Sequence, residues 1–210
     1  MSNAPIATPW HEPKQERGRQ RFEAILESVT TLIVQHGCSQ LKMRDIAQLA
    51  DIPIGSLYQY FPDRNAILAR LHTRYFEHSE QLMRVRYSRV DTIEDFFSAS
   101  EKLIKEVQEF LSSIPSLKEV WIAVQSKPEI RHLDIESSRR SAQVLKQTLR
   151  PLVKPSVSEK DLATACFLIT DLFGRASLIA LDSSKKESAQ LMKQFAIMFS
   201  SYVRTMVSTN

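Results

Sequence analysis

The stretch that decides the fold covers residues 43–64 and reads MRDIAQLADIPIGSLYQYFPDR. Its first part, residues 43–50, carries apolar side chains on one side of a predicted short helix. Pro53 ends this helix, because proline disfavours helical backbone at the preceding residue, and a new helix can start there. Residues 54–60 are predicted as a second, very short helix that Pro62 interrupts. Two short helices joined by a tight turn are typical of a helix-turn-helix.

The junction and the turn of such a pair place demands on particular residues. The junction must be buried, and apolar side chains for it come from Ile46, Ala47, Ile52 and Leu57. The turn needs a residue that tolerates positive φ, and Asp51 stands at that place; aspartate adopts this conformation more readily than most residues.

The outward face of the second helix must carry hydrogen-bond donors. Hydroxyl and amide groups come from Ser56, Tyr58, Gln59 and Tyr60, and Gly55 allows another molecule to approach the backbone closely. A helix face of this kind can enter the major groove of DNA.

The rest of the chain is predicted to be helical as well. Apolar residues recur at spacings of three and four from about Arg17 to Gly37, a residue suited to ending a helix. A long helix is predicted over residues 63–87, and five more near 92–112, 116–125, 129–150, 158–181 and 186–206. The expected fold is all-α, with an N-terminal three-helix helix-turn-helix domain, a C-terminal helical bundle and about nine helices in total.

Three regions are expected along the chain. Residues 1–16 are predicted to be a flexible N-terminal arm, because they contain three prolines, small residues and no periodicity. Trp10 is interpreted as an aromatic residue of this arm without a packing role. Residues 17–64 are predicted to form the helix-turn-helix domain, and residues 65–210 the second helical domain.

Composition excludes several classes of protein. The 210 residues include only 4 glycines and 9 prolines, too few for the frequent turns of an all-β fold. We expect no membrane span and no secretory signal, because no apolar run is long enough and the N-terminus lacks an apolar region. Cys38 and Cys166 match no zinc spacing, and no catalytic motif such as GxSxG or HExxH occurs. We therefore expect no metal site, no cofactor and no enzymatic activity.

Charge alone does not predict a nucleic-acid surface. The net charge is only +4, and residues 1–64 hold seven basic and seven acidic side chains. A surface for DNA must therefore come from the placement of its cations rather than from their number.

The motif in residues 43–64 resembles the DNA-binding domain of TetR-family transcriptional regulators. The resemblance covers residues 17–70 and rests on residues 43–47, 52–61, 63–64 and 67–68, in order and with the right helix lengths. Three residues depart from the family pattern. Asp51 stands where glycine is usual, Lys42 replaces a threonine that would cap the second helix, and Arg64 replaces a lysine.

The resemblance implies contacts with the DNA backbone. The hydroxyl groups of Ser56, Tyr58 and Tyr60 are expected to donate to phosphates, and Arg64 and Lys42 to pair with them.

The resemblance also implies contacts with base edges. Gln59 suits adenine, Arg44 suits guanine and the exposed Ile54 suits a thymine methyl group, while Gly55 permits close approach. Other interpretations stay open, since Tyr58 can be a packing residue and Arg44 a solvated charge. Three further arginines, Arg17, Arg19 and Arg21, can follow a DNA groove or be solvated.

A dimer is predicted from two helices with broad apolar faces. The helix over 158–181 carries one apolar stripe for its own core and a second that a small domain cannot bury. Residues expected at the dimer interface are Ala163, Phe167, Thr170, Gly174 and Leu178, with Phe195, Met198 and Tyr202 from the last helix. A two-fold dimer would present its recognition helices to half-sites about 34–36 Å apart, or a multiple of that distance. In the alternative, both stripes are buried within one chain.

The family resemblance also implies that the second domain binds a small effector. Residues 65–210 are therefore expected to serve in both ligand binding and dimerisation. Candidate apolar lining residues are Phe97, Phe110, Trp121, Val124 and Phe173, and candidate polar ones are Asp171, Arg175 and His132. The supply of aromatic and aliphatic residues favours an apolar or amphipathic ligand. Each apolar residue can equally be part of the core.

The expected function is that of a cytoplasmic, homodimeric DNA-binding regulator, more specifically a repressor that a small-molecule effector releases from double-stranded operator DNA. Two alternatives belong to other classes. One is a helical interaction or ligand-binding module without DNA binding, which the even charge balance of residues 1–64 and Lys42 keep open. The other is a helical enzyme, which no residue pattern in the sequence supports.

Overall fold

The computed structural model of the protein describes residues 9–207. Within this range the chain forms nine α-helices: α1 (Glu16–His36), α2 (Met43–Leu49), α3 (Ile54–Tyr60), α4 (Arg64–Tyr87), α5 (Ile93–Ser112), α6 (Leu117–Gln125), α7 (His132–Leu149), α8 (Glu159–Asp182) and α9 (Lys185–Met206). The described β-type pairing is one isolated bridge between Val153 and Val207. The all-α prediction is therefore confirmed, with helix ends within three residues of those expected.

Side-chain caps define the start of several helices. Thr92 and Asp95 form a reciprocal capping box at α5, and Ser184 and Glu187 form another at α9. Ser158 accepts a hydrogen bond from the backbone N–H of Asp161 at α8, over 3.1 Å. These caps satisfy N–H groups that a helix leaves without partners at its first turn.

The chain divides into two compact units whose boundary differs from the expected one. The first unit comprises the residues up to Arg74 together with Pro115–Leu133, and the second comprises Tyr75–Ile114 with the residues from Asp134 onward. The sequence predicts one domain over residues 65–210. The structure instead assigns the first part of α4 and the whole of α6 to the unit that contains α1–α3.

The first unit is built on a core of fully buried side chains. Its largest members include Ile25, Ile46, Leu57, Phe61 and Ile67, each at most 1% exposed. They come from α1, α2, α3 and α4 and the residue after α3, so this core fixes the short helices to the longer ones. Helix α6 adds Leu117, Val120, Trp121 and Val124, all buried, and contacts the 3₁₀ turn Cys38–Gln40.

The segment before α1 is packed rather than free. Residues 1–8 of the expected flexible arm lie outside the described residues. From Pro9 on, the chain lies against the first unit, and the Trp10 side chain is only 6% exposed. A single aromatic residue in a proline-containing segment gives no periodic signal, so the sequence pattern did not reveal its partner.

The second unit is a helical bundle in which α8 and α9 pack together most extensively. The rings of Phe173 and Phe195 lie 5.3 Å apart between these helices. Tyr87 stacks on Phe96 at 5.4 Å, and its hydroxyl group lies 2.9 Å from the Ser100 hydroxyl. Burial raises the pKa of Tyr87 far above its ordinary value, so this side chain is neutral and structural.

Helix α8 is long and apolar enough to cross a membrane, judged by length and composition alone. The mean hydropathy of its most apolar window is 1.5, and 22% of that window is buried. Its polar residues pair inside the second unit, since Arg175 binds Asp134 at 3.1 Å and Asp171 accepts a hydrogen bond from Ser138. These pairs place one side of α8 against α7.

Candidate DNA-binding surface

The turn between α2 and α3 depends on Asp51. Its φ is 51°, the one positive φ of a non-glycine residue in the part of the chain that the structure describes. The turn is closed by hydrogen bonds from Asp51 N–H to Gln48 O at 3.3 Å and from Ile52 N–H to Ala47 O at 3.1 Å. The predicted left-handed turn residue is thereby confirmed.

Replacement of Asp51 by glycine is expected to raise the free energy of unfolding by up to about 1 kcal/mol, because glycine adopts positive φ without a Cβ clash. Asp51→Val is expected to lower it by about 1–2 kcal/mol. The control is Gln48→Gly in α2, which should cost about 1 kcal/mol because glycine weakens a helix interior. Urea unfolding monitored by circular dichroism measures all three; equal effects of glycine at positions 48 and 51 would contradict the role of the turn.

The junction of the two short helices is buried as expected. Ile46 and Leu57 are 0% exposed and Ala47 is 4% exposed, while Ile52 is half-buried. With its inner side held in this way, α3 turns its other side outward.

The outward side of α3 carries four of the six predicted DNA-binding residues of this helix. Ile54 and Tyr58 are 43% and 50% exposed, and Gly55 and Gln59 are also exposed. A Cβ added at Gly55 would meet no atom within 4 Å, so the fold itself does not require glycine there. A glycine that the fold does not require is consistent with a site where another molecule approaches the backbone closely.

The two other polar residues of α3 are half-buried. Ser56 lies in the first turn of the helix, and Tyr60 is its last residue. The Tyr60 ring meets Phe22 edge-on, with ring centres 6.0 Å apart. The Tyr60 side chain therefore has a defined aromatic neighbour, in contrast to the exposed Tyr58.

Unpaired cations surround the exposed side of the helix-turn-helix. Lys42, Arg44 and Arg64 are exposed, and none forms an ion pair with another described residue. Lys42 precedes α2 and makes no side-chain cap, as its replacement of threonine predicted. Arg64 begins α4, next to Asp63, whose carboxylate accepts a hydrogen bond from the Ala66 N–H.

The three arginines at the start of α1 separate into two groups. Arg19 pairs with Glu16 at 2.7 Å and donates to the Lys14 carbonyl oxygen at 3.1 Å. Arg17 and Arg21 are exposed and have no ion pair within residues 9–207. Only these two therefore remain available for a polyanion.

The two cysteines do not provide a reactive site. Burial, with a smaller effect of Glu119, raises the pKa of Cys38 to about 11. Burial raises the pKa of Cys166 to about 12. Both thiols are protonated at neutral pH and lack nucleophilic character. No group of three His, Cys, Asp or Glu side chains suited to a metal ion occurs among residues 9–207.

The predicted effector-lining residues fall into different places. Trp121 and Val124 are 2% and 0% exposed and belong to the first unit. His132 also belongs to the first unit and is exposed. The other residues lie in the second unit: Phe97, Phe110, Asp171, Phe173 and Arg175.

Within the second unit these five residues have different neighbours. Phe97 lines a groove of about 710 Å³ between α5 and α9, with the Arg204 guanidinium 4.3 Å from its ring centre. Phe110 stacks on His78 at 4.1 Å, and Phe173 packs on Phe195. Asp171 and Arg175 interact with α7 instead.

The exposed apolar stripe of α8 is offset by one position from the predicted one. The predicted residues are half-buried: Ala163, Phe167, Thr170, Gly174 and Leu178. Helix α7 covers part of them, since Thr170 donates to the Ser138 carbonyl oxygen at 2.9 Å and Arg139 lies 5.9 Å from the Phe167 ring centre.

The apolar residues that α8 exposes are Leu168, Leu172 and Ile179, at 49%, 52% and 59%. On α9, Met198 and Tyr202 are exposed as expected, at 65% and 48%, and Phe195 is half-buried. The two helices thus leave a broad apolar surface uncovered in the single chain.

These features define a helix-turn-helix protein with a separate helical bundle. The chain belongs to the TetR family. The family model described as "Bacterial regulatory proteins, tetR family" matches residues 25–71, and that described as "Tetracyclin repressor-like, C-terminal domain" matches residues 95–202, just over half of the chain. Proteins of this family are in general regulators rather than enzymes.

Individual relatives support the same assignment. The chain is 34% identical over 77 residues to the HTH-type transcriptional repressor KstR of Mycolicibacterium smegmatis, a match that covers 37% of either chain. The matched part is thus little more than a third of that relative's length.

Solved structures share the fold over most of the chain. The regulator SCO7518 from Streptomyces coelicolor A3(2) has a TM-score of 0.66 at 21% identity, covering 86% of this chain and 98% of that one. The fatty acid degradation regulator FadR from Bacillus halodurans has a TM-score of 0.66 at 17% identity, covering 85% and 97%.

Proposed function

We propose that the protein is a dimeric transcriptional repressor that binds operator DNA through α3 and leaves it when a small molecule binds the C-terminal domain. The observation that carries the proposal is the outward side of α3. It combines exposed Tyr58 and Gln59 with adjacent unpaired cations and with Gly55, a glycine that the packing of the fold does not require. The name of the relative KstR describes that protein as a transcriptional repressor.

In the proposed complex the phosphate contacts set the position of the protein on the duplex. Ser56, Tyr58 and Tyr60 donate from their hydroxyl groups, and Lys42 and Arg64 pair with phosphates by charge-assisted hydrogen bonds. Arg17 and Arg21 at the start of α1 add charge to the same interaction, because no acidic partner neutralises them within the described residues.

Base contacts set the sequence preference. Gln59 reads adenine and Arg44 reads guanine, each through a bidentate pair worth about 1–3 kcal/mol of discrimination. Ile54, exposed at the first position of α3, packs on a thymine methyl group, and Gly55 lets the backbone approach the groove.

The dimer forms through the uncovered apolar surface of α8 and α9. Its central residues are Leu168, Leu172, Ile179, Met198 and Tyr202. Two such helix pairs make a four-helix interface about a two-fold axis. This arrangement presents two copies of α3 to one pseudo-palindromic site.

The effector is an apolar or amphipathic small molecule bound in the C-terminal domain. It binds more tightly to a form in which the two recognition helices no longer match the half-sites. A differential affinity of about 1–3 kcal/mol is sufficient for a 5- to 150-fold effect. The protein carries out no covalent chemistry, needs no cofactor and acts in the cytoplasm.

A mobility-shift and footprinting experiment on DNA flanking the protein's own gene tests the proposal. We expect a protected, pseudo-palindromic site and a loss of affinity of about tenfold for Tyr58→Ala and for Arg64→Ala, because each removes at least one phosphate contact. Arg74→Ala is the matched control, because Arg74 is engaged with Glu23. Absence of any protected site would favour a ligand-binding module without DNA binding, consistent with the even charge balance of residues 1–64.

A further inference from the structure

The segment Pro9–Gln15, which we call the N-terminal strap, is tied to the first unit by several independent contacts. Trp10 is 6% exposed, and the Arg70 guanidinium lies 5.9 Å from its ring centre. Arg70 also forms an ion pair with Glu12 at 2.8 Å. A residue on α4 thus engages two side chains of the strap, a packed aromatic and an acidic group.

The strap also reaches the end of the recognition helix. The backbone N–H of His11 donates to the carbonyl oxygen of Tyr60, the last residue of α3, over 2.9 Å. The final carbonyl groups of a helix have no partner inside the helix. The strap therefore caps α3 from outside, at the end that carries one of the proposed phosphate-binding hydroxyl groups.

Glycine at position 18 of α1 makes room for this arrangement. A Cβ added there would lie 2.7 Å from Pro13 Cβ and 3.7 Å from the Tyr60 hydroxyl oxygen. The first distance is too short for any side chain, and the proline ring cannot move aside without moving the strap backbone. Gly18 is thus explained by the crossing of the strap, in contrast to Gly55.

We propose that the N-terminal strap, anchored by Trp10, fixes the C-terminal end of α3 and the orientation of Tyr60 for operator binding. Trp10 is in this sense a positioning residue, and the inference rests on the proposed DNA-binding function. The physical reason is the length of α3. A helix of seven residues is not stable by itself in water, so outside contacts determine how well its end is ordered before DNA arrives.

Hydrogen exchange on the full chain without DNA tests the first half of the proposal. In Trp10→Ala the amide hydrogens of residues 57–61 should exchange about tenfold faster, because the capping hydrogen bond from His11 to Tyr60 is lost. Trp10→Phe should retain most of the protection, because it keeps an aromatic ring in the strap. The control is Ile33→Ala, a buried substitution at the opposite end of α1. Equal exchange of residues 57–61 in Trp10→Ala and in the unchanged protein would overturn the proposal.

Gly18→Ala is a second variant that separates strap displacement from loss of stability. Alanine favours the helical conformation of α1, but its Cβ would push Pro13 away. We expect faster exchange at residues 57–61 and weaker operator binding even where the midpoint of thermal unfolding is unchanged. Unchanged exchange and unchanged affinity in Gly18→Ala would overturn the role of the strap.

Double-mutant cycles in operator binding test the second half. Trp10→Ala should weaken operator binding about tenfold. In a protein that already carries Tyr60→Phe, Trp10→Ala should have little further effect, because both changes act on one contact. With Tyr58→Phe the effects should be additive, since the strap makes no described contact with Tyr58. Additivity with both tyrosines would overturn the assignment to Tyr60.

The two levels of the proposal fail in different ways. If the unchanged protein protects no DNA site, the DNA-binding function fails, and the exchange experiment still decides whether the strap orders α3. If Tyr58→Ala and Arg64→Ala weaken operator binding but Trp10→Ala does not, only the inference about the strap is overturned.

Discussion

Raising the salt concentration from about 50 to about 200 mM will weaken operator binding by about 10³–10⁵-fold, the range for six to ten neutralised phosphates. The count follows from the unpaired cations that the proposal places at DNA phosphates. Lys42, Arg64, Arg17 and Arg21 are four per copy and eight per dimer. Fluorescence anisotropy with a labelled operator, repeated at several salt concentrations, measures the slope of log affinity against log salt concentration.

Single substitutions make this prediction specific to the surface. Arg64→Gln should reduce the slope of log affinity against log salt concentration by about 1 per copy. With one phosphate contact fewer, binding releases fewer counterions from the DNA. Arg74→Gln should leave it unchanged, since Glu23 already occupies that guanidinium group. A slope that is the same for all three proteins would show that the cations around α3 are not at the DNA.

The second large effect is expected at the apolar surface of α8 and α9. Leu172→Glu places a charge among exposed apolar residues, and burying that charge in an interface is costly. We expect the variant to sediment as a monomer and to lose at least about 100-fold in operator affinity, because the two recognition helices then no longer bind as one linked pair. Analytical ultracentrifugation and anisotropy measure the two effects.

Val85→Glu is the control for the introduced charge. Val85 is 63% exposed on α4, so the substitution is chemically alike but lies outside the proposed interface. It should leave both the dimer and the affinity unchanged. A Leu172→Glu protein that remains dimeric would refute the assignment of the interface to this surface.

The short-range features of the first unit were predictable from the sequence. Pro53 and Pro62 limit α3 to the observed ends, because proline restricts the backbone locally regardless of tertiary context. Asp51 likewise stands at the positive φ that the turn requires. The residues of the proposed DNA surface follow from these boundaries together with the helical period.

Packing partners were less predictable, for a physical reason. Periodicity shows which side of a helix is buried but not what covers it. The sequence pattern therefore did not indicate that α6 packs in the first unit. It also did not indicate that α7 covers one of the two adjacent apolar stripes of α8 and leaves the other exposed. Trp10 gave no periodic signal at all, and its burial and its contact with Arg70 in the structure show where it packs.

The interrupted sequence of the first unit has a consequence for synthesis in the cell. Because Pro115–Leu133 completes this unit, the ribosome must make the intervening residues before the unit can fold as a whole. A gene fragment that stops at Arg74 would lack the buried side chains of α6 and leave apolar surface bare. We therefore expect nascent chains of intermediate length to be the forms on which chaperones and proteases act.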